Sequence, residues 1–165
     1  MGLVVVDVDP PRADLPASAV DHDALLELLG LAPWQWRVAR RRGLLHDADI
    51  EDTWSPGLVV TLLGEVDAVR TLVGTQWPVG LEKTAYRLLE RTGAAVTMGD
   101  VEELVARGLL VSCDTFHGRK KAFPLYAAVD VDEIDQVVVE QVVADRVDWA
   151  AASVADKWAA AEHLG

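Results

Sequence analysis

The sequence is poor in the residues on which most catalytic and disulfide-bonded proteins depend. It holds one cysteine, Cys113, so no disulfide can form within the chain, and a reducing cytosol is expected. Serine occurs four times, and no Walker loop, nucleophile elbow or Cys-His pair is found. These absences argue against catalysis, and we expect no enzymatic activity.

Long apolar runs and clustered metal ligands are also missing. No run reaches the roughly 18 residues of a membrane span, and no signal peptide is visible, so a cytoplasmic protein without a membrane partner is expected. The acidic run from Asp130 to Asp135 lacks the glycine and terminal acid of a calcium loop. The histidines have no ligand spacing, so we expect neither a metal nor another cofactor; they are His22, His46, His117 and His163.

Positive charge is scarce as well. Half of the composition is apolar and a quarter is charged, which is typical of a globular chain, and the net charge is −12. This balance argues against broad, non-specific binding to nucleic acid, which depends on neutralising phosphates. It leaves room for a local basic face.

Such a face is predicted within the stretch from Leu25 to Leu45. Gly30 can end one short helix in the left-handed conformation, and Pro33 suits the first turn of the next. Two short helices on a tight turn form a helix-turn-helix. No acid lies between Ala32 and Leu45, and the second helix carries Arg37, Arg40, Arg41 and Arg42.

The pattern then begins again in the second half of the chain. Arg42-Gly43-Leu44-Leu45 has a counterpart in Arg107-Gly108-Leu109-Leu110, and similar helical spacing precedes both. Leu110 to Cys113 and Ala122 to Tyr126 are predicted to form a hairpin with its tip at His117 to Lys121. A long helix to about Trp149 follows, capped by Asp130 or Asp132.

We therefore predict a mainly α fold with small β-hairpin wings, in two tandem winged helix-turn-helix units. The predicted segments are 1–19, with a strand or arm at Leu3 to Val8 and a proline-rich connector; unit 1 at 20–75; unit 2 at 76–128; and 129–165. In the last segment, Ser153 is expected to cap a separate helix from Val154 to His163. That helix is interpreted as the start of a third unit, which a chain cut out of a longer protein would explain.

These motifs resemble the winged helix-turn-helix proteins of the MerR and excisionase type, in a tandem form met in actinobacteria. The resemblance rests on Leu28 to Leu45, Trp54-Ser55, Arg87 to Leu110, and Pro124-Leu125-Tyr126. It implies a cytoplasmic, sequence-specific DNA-binding regulator. The sequence departs from the family where the second helix of unit 2 holds acids at Asp100, Glu102 and Glu103, although such helices usually offer basic and polar groups to the major groove.

Each unit thus keeps one element suited to DNA. The candidate contacts are Gln35, Arg37, Arg40, Arg41 and Arg42 on the first basic helix, and Arg119, Lys120 and Lys121 on the second wing. The arginines could contact phosphates or read guanine, and Gln35 could read adenine. The alternatives are a solvated helix end favoured by the helix dipole and a merely soluble loop. Trp34, Trp36 and Trp54 are expected in the core.

The leading hypothesis is a nucleoid-associated protein that binds double-stranded DNA as a transcriptional regulator or DNA-organising factor. The alternative is a protein–protein interaction adaptor that reuses the winged-helix scaffold and engages partners through acidic surfaces. A regulator that binds a small effector is a third option. The DNA target, the sign of regulation and the oligomeric state stay open.

Overall fold

The computed structural model of this protein describes residues 15–162 and confirms a mainly helical fold with one small hairpin. The elements are α1 (His22–Leu29), α2 (Pro33–Arg41), α3 (Pro56–Val73), α4 (Leu81–Thr92), α5 (Met98–Ala106), β1 (Asp114–His117), β2 (Ala122–Leu125), α6 (Ala128–Asp132) and α7 (Gln136–Glu162). The strand or arm predicted at Leu3 to Val8 lies outside the described residues. No described helix is both long and apolar enough to cross a membrane.

Helix starts follow the capping residues in the sequence. Asp21 accepts a hydrogen bond from the Ala24 N–H at 2.9 Å, and Ser55 caps α3 with Pro56 at its first position. Thr97 and Asp100 form a reciprocal capping box at the start of α5. The sequence alone predicts Asp21, Ser55 and Thr97 as the caps of helices that begin near His22, Pro56 and Met98, and the structure confirms these starts.

The two Arg-Gly-Leu-Leu motifs close their helices in the same way. Gly43 and Gly108 adopt left-handed backbone angles, with φ of +68° and +72°. The following Leu44 and Leu109 each donate a backbone hydrogen bond five residues back, at 2.9 Å. The internal repeat thus extends from sequence to the local geometry of the helix ends.

Two clusters of buried side chains lie under this repeat. In the first, α3 packs against α1 and α2, and Trp34, Trp36 and Trp54 are buried there as expected. In the second, α4 packs against α5, α6 and α7 around residues such as Leu88. Cys113 and Ala127 belong to the first cluster although they lie far beyond residue 75 in the chain. The division between 75 and 76 stays a prediction.

The predicted hairpin is present, but its first strand begins later than expected. Strand β1 covers Asp114–His117 and pairs antiparallel with β2, with Phe116 opposite Phe123. The placement of a strand at Leu110 to Cys113 was therefore wrong. Its apolar residues serve the cores instead: Leu110 is buried in the second cluster and Cys113 in the first.

Unit 1 has no comparable wing. The segment 46–53 contains only an isolated bridge between Ile50 and Thr53. Its acid Asp49 accepts hydrogen bonds from the backbone N–H and the hydroxyl of Ser55. The expectation of wings in both units is thus corrected, because this acidic segment supports the start of α3 rather than pairing as strands.

The C-terminal helices also differ from prediction. Asp130 and Asp132 lie within the short helix α6, and Asp135 accepts from the Val137 N–H at the start of α7. Helix α7 then continues without a break from Gln136 to Glu162. The separate helix start at Ser153, the basis of the proposed third unit, was wrong, because alanines with high helix propensity precede Ser153 and no glycine or proline interrupts them.

Asp100 connects the start of α5 to α7. Its buried carboxylate accepts from the Thr97 N–H at 2.7 Å and from Arg146 Nε at 2.8 Å. Replacing Asp100 with alanine is expected to lower the free energy of unfolding by about 2 kcal/mol, because a cap and a charged hydrogen bond are both lost. Urea denaturation checks this. The exposed Glu102 of the same helix is the control, and equal effects of D100A and E102A would contradict the assignment.

Candidate functional site

The arginine-rich helix α2 faces the second half of its own chain. Arg37 donates through Nε to the carbonyl oxygen of Cys113, and its Nη2 lies 2.7 Å from Asp114 Oδ1. Cys113 directly precedes β1, and Asp114 is the first residue of that strand. Arg37, one of the predicted DNA contacts, is therefore hydrogen-bonded within the chain.

Arg41 and Arg42 converge on Asp130 of α6. Arg41 Nη2 pairs with Asp130 Oδ2, and Arg42 Nη2 lies 2.7 Å from Asp130 Oδ1. Arg42 also grips Glu133 with two nitrogens, at 2.9 and 2.6 Å. The hydrogen bond to Glu133 is the main cause that raises the pKa of Arg42 above its usual range.

We call these contacts the arginine junction: Arg37, Arg41 and Arg42 with Asp114, Asp130 and Glu133. The side chain of Asp130 is only 13% exposed, so its charge depends on the two arginines for compensation. The junction joins α2 to the start of β1 and to the region of α6. Its geometry supports a role in holding the two halves together.

Arg40 is the most loosely held of the four. It pairs with Asp47, which is largely exposed, and its guanidinium lies 6.0 Å from the ring centre of Trp36. An exposed pair of this kind contributes roughly 0 to 1 kcal/mol. Arg40 can therefore exchange Asp47 for another anion more easily than the junction arginines can.

Gln35 does not face solvent. Its side chain is buried, its Oε1 accepts from the Ala32 N–H at 3.0 Å, and its Nε2 donates to the Gly74 carbonyl at 2.8 Å. The amide thus fixes the start of α2 and ties it to the end of α3. This placement is at odds with the expectation that Gln35 reads adenine.

The hairpin tip differs from α2 in its exposure. Arg119, Lys120 and Lys121 are all exposed, and none has an ion pair with a described residue. A backbone hydrogen bond from Gly118 N–H to the Lys121 carbonyl closes the turn at 3.0 Å. Among the described residues, no hydrogen bond or ion pair links the tip to the α2 arginines.

An apolar groove lies beside the hairpin, and sequence reasoning missed it. It has a volume of about 850 Å³ between the segment 77–83, the start of α5 and the hairpin. Trp77, Met98, Phe116 and Phe123 line it and are about half to two-thirds exposed. The two phenylalanines of the predicted hairpin, Phe116 and Phe123, were the signal available in the sequence.

Cys113 lies beside the arginine junction. Burial, together with the charges of Asp130 and Asp114, raises the pKa of its thiol to about 11. The thiol is therefore neutral at pH 7 and a poor nucleophile. Within residues 15–162 no group of three or more His, Cys, Asp or Glu side chains is arranged to hold a metal ion.

Acid is expected to weaken the ion pairs around α6. Hydrogen bonds from Arg42 and Arg87 hold the pKa values of Glu133 and Asp132 below their ordinary values of 4.5 and 3.8. Because both folded-state values are lowered, the stabilisation is complete above the unfolded values and is lost as the pH falls through the folded ones.

The corresponding measurement compares the wild type with Glu133→Gln by urea denaturation at several pH values. The stability difference between the two proteins should shrink as the pH falls from about 7 to about 3, because protonated Glu133 also lacks the ion pair. A difference that is constant over this range would argue against the pair.

The comparisons with known proteins found no match. No protein-family model, no curated protein and no solved structure matches this chain. The resemblance to MerR-type and excisionase-type proteins therefore rests on the sequence motifs alone.

Proposed function

We propose that this chain is a protein–protein interaction adaptor built on two helix-turn-helix units, of which the second carries a wing. The observation that carries the proposal is that the three arginines of α2 and its C-cap residue Arg42 are all ion-paired to carboxylates of the same chain. A helix whose cations are neutralised in this way offers little positive potential to a phosphate backbone.

The charge of the remaining surface supports the same function. In a winged helix-turn-helix, the second helix of the motif enters the major groove, but α5 exposes Glu102 and Glu103 there. The net charge of −12 adds repulsion over the length of a duplex. A protein partner of low charge is repelled neither by the acids of α5 nor by the net negative charge of the chain.

The test combines affinity purification with nuclease digestion. Tagged full-length chain is recovered from cells before and after treatment with a nuclease that degrades both DNA and RNA. Partners that stay bound after digestion, together with no change in fluorescence anisotropy of a random duplex pool at low salt, are the expected result. Partners lost on digestion, together with duplex binding, would contradict the proposal.

A second candidate function is DNA binding through the hairpin alone. It is favoured by the exposed cations Arg119, Lys120 and Lys121, which have no described ion-pair partner. In this version the tip contacts the phosphate backbone, and Arg40, the most exchangeable of the α2 arginines, adds a further contact. The sequence-specific regulator expected from the family resemblance would then depend on the wing.

Two variants separate these candidates. Arg119→Ala/Lys120→Ala/Lys121→Ala should abolish duplex binding if the hairpin holds DNA. Arg40→Ala, which leaves the arginine junction intact, should weaken binding if Arg40 adds a contact. Fluorescence anisotropy over a salt series measures both, because each lost phosphate contact flattens the salt dependence. If the wild type binds duplex and the hairpin variant does not, the assignment changes from an adaptor to a DNA-binding protein.

A further inference from the structure

The groove beside the hairpin, which we call the hairpin groove, brings several exposed apolar side chains together on one surface. Trp77 is 68% exposed, Phe116 59%, Met98 53% and Phe123 48%, and all four line the same concave site. Contiguous apolar surface of this kind on a soluble chain marks an interaction site. Phe116 belongs to neither buried cluster, so neither core requires its ring.

The backbone holds the hairpin groove in shape. Val79 and Tyr126 exchange two hydrogen bonds, at 3.0 and 2.8 Å, which attach the segment before α4 to the end of the hairpin. Phe116 and Phe123 lie directly opposite each other in the strand register. A preformed site of this kind loses little conformational entropy when a partner binds.

Cations without a described hydrogen-bond partner lie in the hairpin groove and at the tip of the adjoining hairpin. Among the lysines and arginines between residues 15 and 150, Lys83, Arg119, Lys120 and Lys121 have no hydrogen bond to a carboxylate or carbonyl oxygen, whereas each of the others has at least one. Lys83 lines the groove, and the other three lie at the tip of the hairpin that forms one wall. Glu82 is the one acidic residue among the groove's lining residues.

We propose that the hairpin groove binds a short, acidic, amphipathic segment of a partner protein, an inference that rests on the adaptor function proposed above. The partner's apolar side chains fill the space between Trp77, Met98 and Phe116. Its carboxylates lie towards Lys83 and the hairpin tip. This charge complementarity fixes the orientation of the segment and excludes basic competitors.

The lining favours a peptide over a nucleic acid. Stacking sites for single strands present ring faces to successive bases, whereas this groove is also lined by Leu81, Met98, Pro124 and Leu125. A duplex carries about one charge per 1.7 Å over its whole length, and the net charge of −12 on the chain opposes its approach. A short peptide confines its few carboxylates to the basic rim.

The experiment selects peptides from a random phage-displayed library on the immobilised full-length chain. Enriched peptides should combine aromatic or aliphatic residues with Asp or Glu. A labelled enriched peptide should bind at least about tenfold more weakly to Phe116→Ser and to Lys120→Glu/Lys121→Glu, and its affinity should fall with added salt. Tyr86→Ser removes an exposed aromatic residue outside the groove and should leave binding unchanged.

Other outcomes would overturn the proposal. These are no enrichment, enrichment of basic peptides, or equal binding to the wild type and Phe116→Ser when both have the same thermal unfolding midpoint. Binding of a labelled oligothymidylate that Phe116→Ser abolishes would assign the groove to single-stranded nucleic acid instead. If nuclease-resistant partners co-purify equally with wild type and Phe116→Ser, the adaptor function stands and the groove assignment fails. If the wild type retains none, the adaptor function itself fails.

Discussion

Replacing Asp130 with alanine is expected to lower the free energy of unfolding by about 2 to 3 kcal/mol. The carboxylate is 13% exposed and accepts hydrogen bonds from both Arg41 and Arg42. Its loss leaves two guanidinium groups, themselves about a quarter to a third exposed, with fewer partners. Part of their charge regains contact with water, which is why the expected effect is smaller than for a fully buried pair.

The matched control for Asp130 is Asp47, which pairs with Arg40 outside the arginine junction. Asp47→Ala removes a largely exposed carboxylate and should change stability by less than about 0.5 kcal/mol. Urea denaturation, followed by tryptophan fluorescence and by circular dichroism, measures both variants. Similar losses in D130A and D47A would mean that the junction contributes no more than an ordinary surface pair.

Trp34→Ala is expected to have the largest effect on stability, a loss of about 3 to 5 kcal/mol. The ring is 2% exposed in the first buried cluster and packs edge-on against Trp77, with ring centres 6.5 Å apart. Truncation leaves a cavity that the surrounding residues of α1 and α3 cannot fill without moving.

Trp34→Phe is the informative companion of this variant. It keeps an aromatic ring and removes the indole N–H, which is buried without a hydrogen-bond partner among the described residues. Its loss should therefore be much smaller than that of Trp34→Ala. Equal losses in the two variants, or less than about 1 kcal/mol in Trp34→Ala, would show that the side chain is not part of a tightly packed core.

The starts of α1, α3 and α5 and the glycine-marked helix ends were predictable because their signals are local. Asp21, Ser55 and Thr97 act through hydrogen bonds to residues three positions along the chain. Gly43 and Gly108 end helices through their own backbone angles. Such interactions need no knowledge of distant segments, so the sequence carries them in full.

The environment of the arginines was not predictable in this way. Arg42 is 88 positions from Asp130 and 91 from Glu133, and the sequence placed Asp130 only as a helix cap. Because acids outnumber bases in this chain, most arginines can be expected to form an ion pair. The composition does not say which acid is the partner of a given arginine. The prediction of the first hairpin strand was wrong for a related reason. Leu110 and Cys113 are apolar because each is buried in one of the two clusters, and the sequence pattern alone does not distinguish this from a strand.

A basic helix therefore supports two different functions, and its partners decide between them. The sequence of α2 alone is typical of a helix that contacts phosphates. Paired to Asp114, Asp130 and Glu133, the same cations are consistent with a structural connection between two repeated units. The exposed cations beside the hairpin groove are then the described groups best placed for recognition.

If the arginines of α2 and its C-terminal end act within the chain, Arg42 and Asp130 should be energetically coupled, and a double-mutant cycle measures that coupling. Stabilities of the wild type, Arg42→Ala, Asp130→Ala and the double variant are measured by urea denaturation at low and moderate salt. A coupling energy above about 1 kcal/mol that persists at moderate salt is the expected result. Additive effects, with a coupling energy near zero, would contradict this assignment. The arginines would then again be candidate DNA contacts.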